Sequence, residues 1–167
     1  MPTLNPLAAP PVVGCRRRLL LQAGAGLLAG AGRAGGAAAA AGPLVEVWKS
    51  PSCGCCGDWI THMRAHGFRI RVHDTGNTAV RARVGFSAAL GSCHTALVGG
   101  YALEGHVPAR EVLRLLKERP AAIGLAVPGM PVGSPGMDGP AYGGRRDPYD
   151  VLLVAAGGAT RVYRSYR

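Results

Sequence analysis

Cys53-Gly54-Cys55-Cys56 sets three thiols within four residues, and Cys93 supplies a fourth far downstream. A fold that accepts this pattern either folds a distant strand back onto one tight cysteine loop or parts the thiols among unrelated disulfides. The flanks favour the first. Leu44-Val45-Glu46-Val47-Trp48 alternates apolar and polar residues as a strand does, and Lys49 to Ser52 reads as a loop. Asp58 to Gly67 carries Trp59, Ile60 and Met63 on one helical stripe, with Gly67 as its stop. The cysteines therefore sit where a strand enters a helix. Helix-terminal N–H groups lower a thiol's pKa there and favour the thiolate, the form that binds metal or attacks disulfides.

Further along, Phe68 to Val72 alternates strictly and predicts a second strand, and Thr78 to Val84 predicts a short helix. His94 to Val98 is an apolar run that turns at Gly99-Gly100 into Tyr101 to Glu104, a hairpin signal. Pro108 opens a helix carrying Val112, Leu113, Leu115 and Leu116, which Pro120 stops. Gly129 to Gly144 is too rich in glycine and proline for regular structure, and Asp150 to Val154 with Thr160 to Tyr163 form a last hairpin hinged at Gly157-Gly158. The order β-α-β-α-β-β-α plus a hairpin predicts the α/β class, a mixed sheet with helices on its faces.

The full chain has 19 basic and 9 acidic residues, a net charge of +10 that by itself suggests a nucleic-acid or membrane-surface protein. The leader changes this reading. Arg16, Arg17, Arg18 and Arg33 precede every acidic residue, so the remainder carries 15 basic against 9 acidic, and no nucleic-acid-binding signature stands out. Arg16-Arg17-Arg18-Leu19-Leu20, a weakly apolar Gly/Ala stretch and the alanine run Ala37 to Ala41 read as a signal peptide of the twin-arginine type over residues 1–41. The stretch is too short and too polar for a transmembrane span. The expectation is a periplasmic domain over residues 42–167, with no stable membrane anchor after cleavage and no nucleic-acid partner.

Cys53 and Cys56 form a Cys-x-x-Cys pair in a strand-to-helix turn, the thioredoxin arrangement. By that analogy Cys93-His94 occupies the place where thioredoxins carry a cis-proline facing the pair, so four thiols and an imidazole converge. Two thiols suffice for dithiol exchange, which leaves Cys55 and Cys93 surplus. Thiolates with imidazole suit Cu(I), and crowded thiolates bridge more than one ion. Zinc structural sites more often use two separated knuckles. Two alternatives stand beside copper: a thiol-disulfide oxidoreductase using Cys53 and Cys56, and a pair of structural disulfides stapling an exported domain. His106 precedes Val107-Pro108 at the mouth of the last helix, a position that faces the active loop in thioredoxin-like folds. Met130 and Met137 punctuate the Gly/Pro segment, where soft thioethers on a flexible lid would give copper an access route, or else fill the core edge. His62 and His66, four apart, read as a solvated helix boundary more readily than as a metal pair.

Trp48-Lys49-Ser50-Pro51-Ser52-Cys53-Gly54-Cys55-Cys56-Gly57-Asp58-Trp59, Ser92-Cys93-His94-Thr95-Ala96 and Glu104-Gly105-His106-Val107-Pro108 resemble the CopG-like family of exported bacterial metal-binding proteins. The run from Gly124 to Met137 and Asp147-Pro148-Tyr149-Asp150-Val151 belong to the same pattern, so the resemblance spans about Val45 to Tyr163. It implies a thioredoxin-like fold that binds copper, a link to copper and heavy-metal resistance, and a ligand set on Cys53, Cys55, Cys56, Cys93 and His94. Storage, transfer to other periplasmic copper-handling proteins and a copper oxidoreductase role that cycles the metal all remain open at this point.

Overall fold

The computed structural model describes residues 42–167. The export-signal reading concerns residues 1–41 and lies outside them. Strand β1 (Leu44–Lys49) leads into helix α1 (Gly54–Ala65), followed by β2 (Arg69–His73), α2 (Thr78–Arg83), the hairpin β3 (His94–Val98) and β4 (Tyr101–Glu104), and α3 (Ala109–Glu118). Strands β5 (Gly124–Ala126), β6 (Tyr149–Val154) and β7 (Thr160–Tyr166) complete the chain. One seven-stranded sheet runs in the order β2-β1-β3-β4-β5-β6-β7. The pairs β1/β2 and β4/β5 are parallel and the others antiparallel.

Alternation accounts for β1, where Val45 and Val47 are buried between less buried neighbours. In α1 the stripe Cys56, Trp59, Ile60 and Met63 follows helical spacing, and its last three members share one core with the sheet and with Val112 and Leu115 of α3. A second apolar cluster, Phe86, Leu90, Ala102, Ala126 and Val154, is separate from this core. No helix among the described residues is long and apolar enough to cross a membrane.

Two differences from the sequence expectation bear on function. Helix α1 starts at Gly54 rather than Asp58, so Cys53 is its N-cap, in an extended conformation, and Cys55 and Cys56 belong to its first turn. The glycines at 54 and 57 conceal a helix start from propensity. The second difference is β5, a run too short for periodicity to reveal; it is wholly buried and joins the two hairpins into one sheet. A Cβ at Gly124 would run into the Ala102 carbonyl of β4, so this close approach requires glycine.

Residues 129–144 are irregular apart from one 3-10 turn at Pro140–Tyr142. They nevertheless form a fastened strap. The Gly129 amide donates to Gly91 O, Gly133 to Met137 O and Met137 to Ser134 O, while the Val132 amide donates to the Asp147 carboxylate. Ser134 to Met137 are buried.

Candidate metal centre

The loop-to-helix turn and the start of β3 bring the four cysteines together. One donor atom from each of Cys53, Cys55, Cys56 and Cys93 lies within 4.8 Å of the others, and so do donors of Cys93, His94 and His106. Cys93 belongs to both groups. Its sulfur is 3.9 Å from Cys55 Sγ, 3.4 Å from His94 Nδ1 and 3.1 Å from His106 Nε2.

Cys53 and Cys56 are joined as a disulfide, with Cα atoms 5.4 Å apart. Cys55 and Cys93 are free thiols, and Cys55 Sγ is 3.6 Å from Cys53 Sγ. The alternative in which all four cysteines are spent on two staples does not hold, because the remaining pair faces each other unbonded. Burial, and then Cys55 beside it, push the Cys93 thiol up to about 12. For Cys93 this runs opposite to the lowering expected of cysteines at a helix start, because it comes from a strand facing that turn and loses water there. The metal-free site therefore keeps the Cys93 proton, and a cation that binds sulfur has to displace it.

The histidines are set by their second nitrogens. His106 Nδ1–H donates to the Pro135 carbonyl at 2.8 Å, and a carbonyl only accepts, so Nε2 carries the lone pair and points at Cys93. This is the arrangement that orients metal-ligating imidazoles. His94 is fully buried beside the Trp59 and His106 rings, and its Nε2 has no hydrogen-bond partner among the described residues. Burial holds both imidazoles below the ordinary pKa, His94 well below, so both stay neutral. Neutral imidazoles that turn His94 Nδ1 and His106 Nε2 toward the Cys93 thiol form, with the other cysteines, a donor set that fits a soft metal ion.

Trp59 steadies the arrangement by donating its indole N–H to Val107 O at 2.9 Å, next to His106. Met137 is buried and its sulfur accepts the Tyr142 hydroxyl at 3.2 Å, whereas Met130 is 51% exposed. His62 and His66 do not form the alternative metal pair. The Ala109 amide donates to His62 Nε2 at 3.1 Å, which leaves the proton on Nδ1 and makes His62 a clasp on the start of α3. Sequence reasoning treated Glu104 only as a strand end, although a carboxylate inside the apolar stretch Tyr101 to Val107 was a signal of a buried polar role. It is fully buried behind Cys93 and His94 and accepts bonds from both sides of that pair.

Residues 90–137 match a family described as a protein of unknown function, DUF411. Two solved structures are similar over most of the described residues. "Copper resistance protein copG- Form 2" is 42% identical with a TM-score of 0.70, and the match covers 75% of this chain and 99% of that one. "Copper resistance protein copG- Form 1" is 44% identical with a TM-score of 0.68, covering 74% and 96%. This chain belongs to the CopG-like family. Its α/β fold is thioredoxin-like, as the resemblance implied, and no curated protein matches it. The CopG-like motifs from both halves of the chain, the cysteine turn and the Cys93-His94 pair with His106, meet at one place.

Proposed function

We propose that this protein is an exported, periplasmic copper-binding protein of copper handling and resistance, holding Cu(I) on Cys53, Cys55, Cys56, Cys93, His94 and His106. The observation that carries this reading is that Cys93 is common to the thiol group and the imidazole group. A sulfur in that position can bridge, so the site has donors for more than one cuprous ion. Cuprous ion is the cargo here, and the two structures in the comparison carry copper resistance in their names.

Loading on all four sulfurs begins when an external dithiol reduces the Cys53–Cys56 disulfide by thiol–disulfide exchange, leaving as its own disulfide and returning two thiols beside Cys55. Each thiol proton leaves as sulfur takes the metal. His106 stays oriented by Pro135 and presents Nε2 throughout. His94, fully buried, brings Nδ1 within 3.4 Å of the Cys93 sulfur. Two neutral, buried imidazoles beside half-buried thiols suit a singly charged ion shared among thiolates. Met130 and Met137 bracket the strap beside the site, and the exposed Met130 follows Gly129, whose carbonyl accepts the Ser92 hydroxyl; the pair serves as thioether handholds on the access route. Export by the twin-arginine route and delivery to other periplasmic copper-handling proteins complete the reading, with redox cycling of the copper as a further activity of the same site.

A second reading draws support from the disulfide itself: a thiol-disulfide oxidoreductase using Cys53 and Cys56, with Cys55 poised 3.6 Å from Cys53. Anaerobic titration of the reduced protein with Cu(I), against a cuprous chelator, separates the two. The copper reading expects tight binding that is lost in Cys93→Ser, with little dithiol-reductase turnover. Failure to compete with the chelator, together with catalytic cycling of Cys53 and Cys56 that survives Cys93→Ser, would overturn it.

A further inference from the structure

Glu104 ends β4 in the middle of the sheet, directly opposite Thr95 of β3, and is fully buried. A carboxylate there forfeits its hydration and persists only where donors and a cation replace the lost water. They do. Oε1 accepts the Ser92 amide at 2.8 Å, Arg81 Nη1 at 3.2 Å and Asn77 Nδ2 at 3.4 Å, and Oε2 accepts the Thr95 hydroxyl at 2.6 Å.

The placement of these bonds matters more than their number. Ser92 and Thr95 flank Cys93 and His94, so one carboxylate grips the chain on either side of two ligand residues. The β1/β3 ladder ends at His94, which leaves Ser92 and Cys93 beyond the register that β1 imposes. The same donors hold Ser92 a second time: Asn77 Nδ2 reaches Ser92 O at 3.2 Å and Arg81 Nη1 reaches it at 3.4 Å. Asn77 is fixed in turn beside Gly76, whose amide donates to Lys49 O at the end of β1. Two residues past Glu104 the same segment supplies His106. Each strand end that feeds the site is tied, directly or through α2, to this carboxylate.

We infer that Glu104 is a positioning residue of the copper site, holding Cys93 and His94 in register with the cysteine turn and with His106. Arg81, in the last turn of α2, and Asn77, its N-cap, supply the cation and amide that let a carboxylate lie there. This inference rests on the copper reading above.

The test uses the reduced full-length protein under argon, titrated with Cu(I) against a cuprous chelator, with the thiolate-to-copper ultraviolet band recorded at each point. Glu104→Gln keeps an acceptor for the Ser92 amide and replaces the second oxygen with an N–H that donates to the Thr95 hydroxyl oxygen, and is expected to bind within about threefold of wild type. Glu104→Leu fills the space without an acceptor and is expected to lose roughly 10–100-fold in affinity, with an altered band. Leu153→Ala, a core change on β6, lowers the melting temperature yet leaves affinity and band unchanged, which separates the grip from general stability. If Glu104→Leu does not fold, Thr95→Val, which cuts the Oε2 arm and the Asn77 Nδ2 bond to Thr95 Oγ1 but leaves the Oε1 bonds in place, decides with an expected several-fold loss. Wild-type affinity in the folded Glu104→Leu or in Thr95→Val, or an equal loss in Leu153→Ala, overturns the assignment. A wild-type protein that binds no copper overturns the copper reading instead.

Discussion

Gly136→Ala isolates the strap's contribution to the metal centre. Gly136 has φ +85°, and a Cβ there would stand 2.6 Å from Trp59 N and 2.7 Å from Cys55 O. Both partners are backbone atoms of α1, so the strap has to give way, by roughly 0.8 Å to restore ordinary contact. Its neighbour Pro135 carries the carbonyl that holds His106 Nδ1–H at 2.8 Å. A shift of that size stretches the bond to about 3.6 Å, beyond hydrogen-bonding range. The left-handed backbone costs about 1–2 kcal/mol for alanine, and a buried imidazole left without its acceptor about 1–3 kcal/mol. Together they amount to about 2–5 kcal/mol, a fall in melting temperature on the order of 10 °C. Copper affinity should fall by roughly 10–100-fold, because the lost bond is the one that orients a ligand. Gly139→Ala is the internal control, since its φ is −70° and nothing lies within 4 Å of the added methyl. Differential scanning calorimetry and chelator competition on both variants give the answer. A Gly136→Ala protein that melts and binds like wild type would refute the proposed link from strap to imidazole.

Three further outcomes follow from the geometry. Burial lowers the His94 and His106 pKa values, and His62 shifts the same way, while the unfolded imidazoles titrate near about 6.5. The folded metal-free protein thus binds fewer protons below that pH; its stability is whole above about 6.5 and drains as pH falls toward the folded values. Melting scans between about pH 7.5 and about pH 5 should show this drop, smaller in His94→Gln, and an equal drop in that variant would count against it. Trp59→Phe removes the donor to Val107 O and should cost about 1–3 kcal/mol in urea denaturation, where an unchanged midpoint would contradict a steadying role for the indole N–H. Reduction of the Cys53–Cys56 disulfide should raise the Cu(I) held per chain, whereas equal stoichiometry before and after would remove those two sulfurs from the ligand set.

Much of this was legible in the sequence because the informative features are local. Strand alternation at Val45 and Val47, the Trp59/Met63 stripe and the Gly99-Gly100 turn each follow from a short window, while the thioredoxin analogy places Cys93 and His94 opposite the cysteine turn, a placement the β1/β3 pairing achieves. The helix start was hidden by Gly54 and Gly57, and β5 by its brevity. What spacing does not encode is the far side of each ligand. The Pro135 carbonyl on His106 and the Glu104 grip on residues 92 and 95 are contacts across the fold, made by residues that look like loop and strand ends. The paired state of Cys53 and Cys56 also depends on three-dimensional distance, since Cys55 offers the same element at a competing position.

The central claim is that Cys93 makes one copper site of two donor groups. Copper K-edge absorption of the reduced, Cu(I)-loaded protein tests it most directly. The expected spectrum is cuprous, with a first shell dominated by sulfur, a minor imidazole contribution, and loss of both the sulfur excess and the imidazole signal in Cys93→Ser. A first shell of nitrogen and oxygen alone, or a spectrum that Cys93→Ser leaves unchanged, would contradict it.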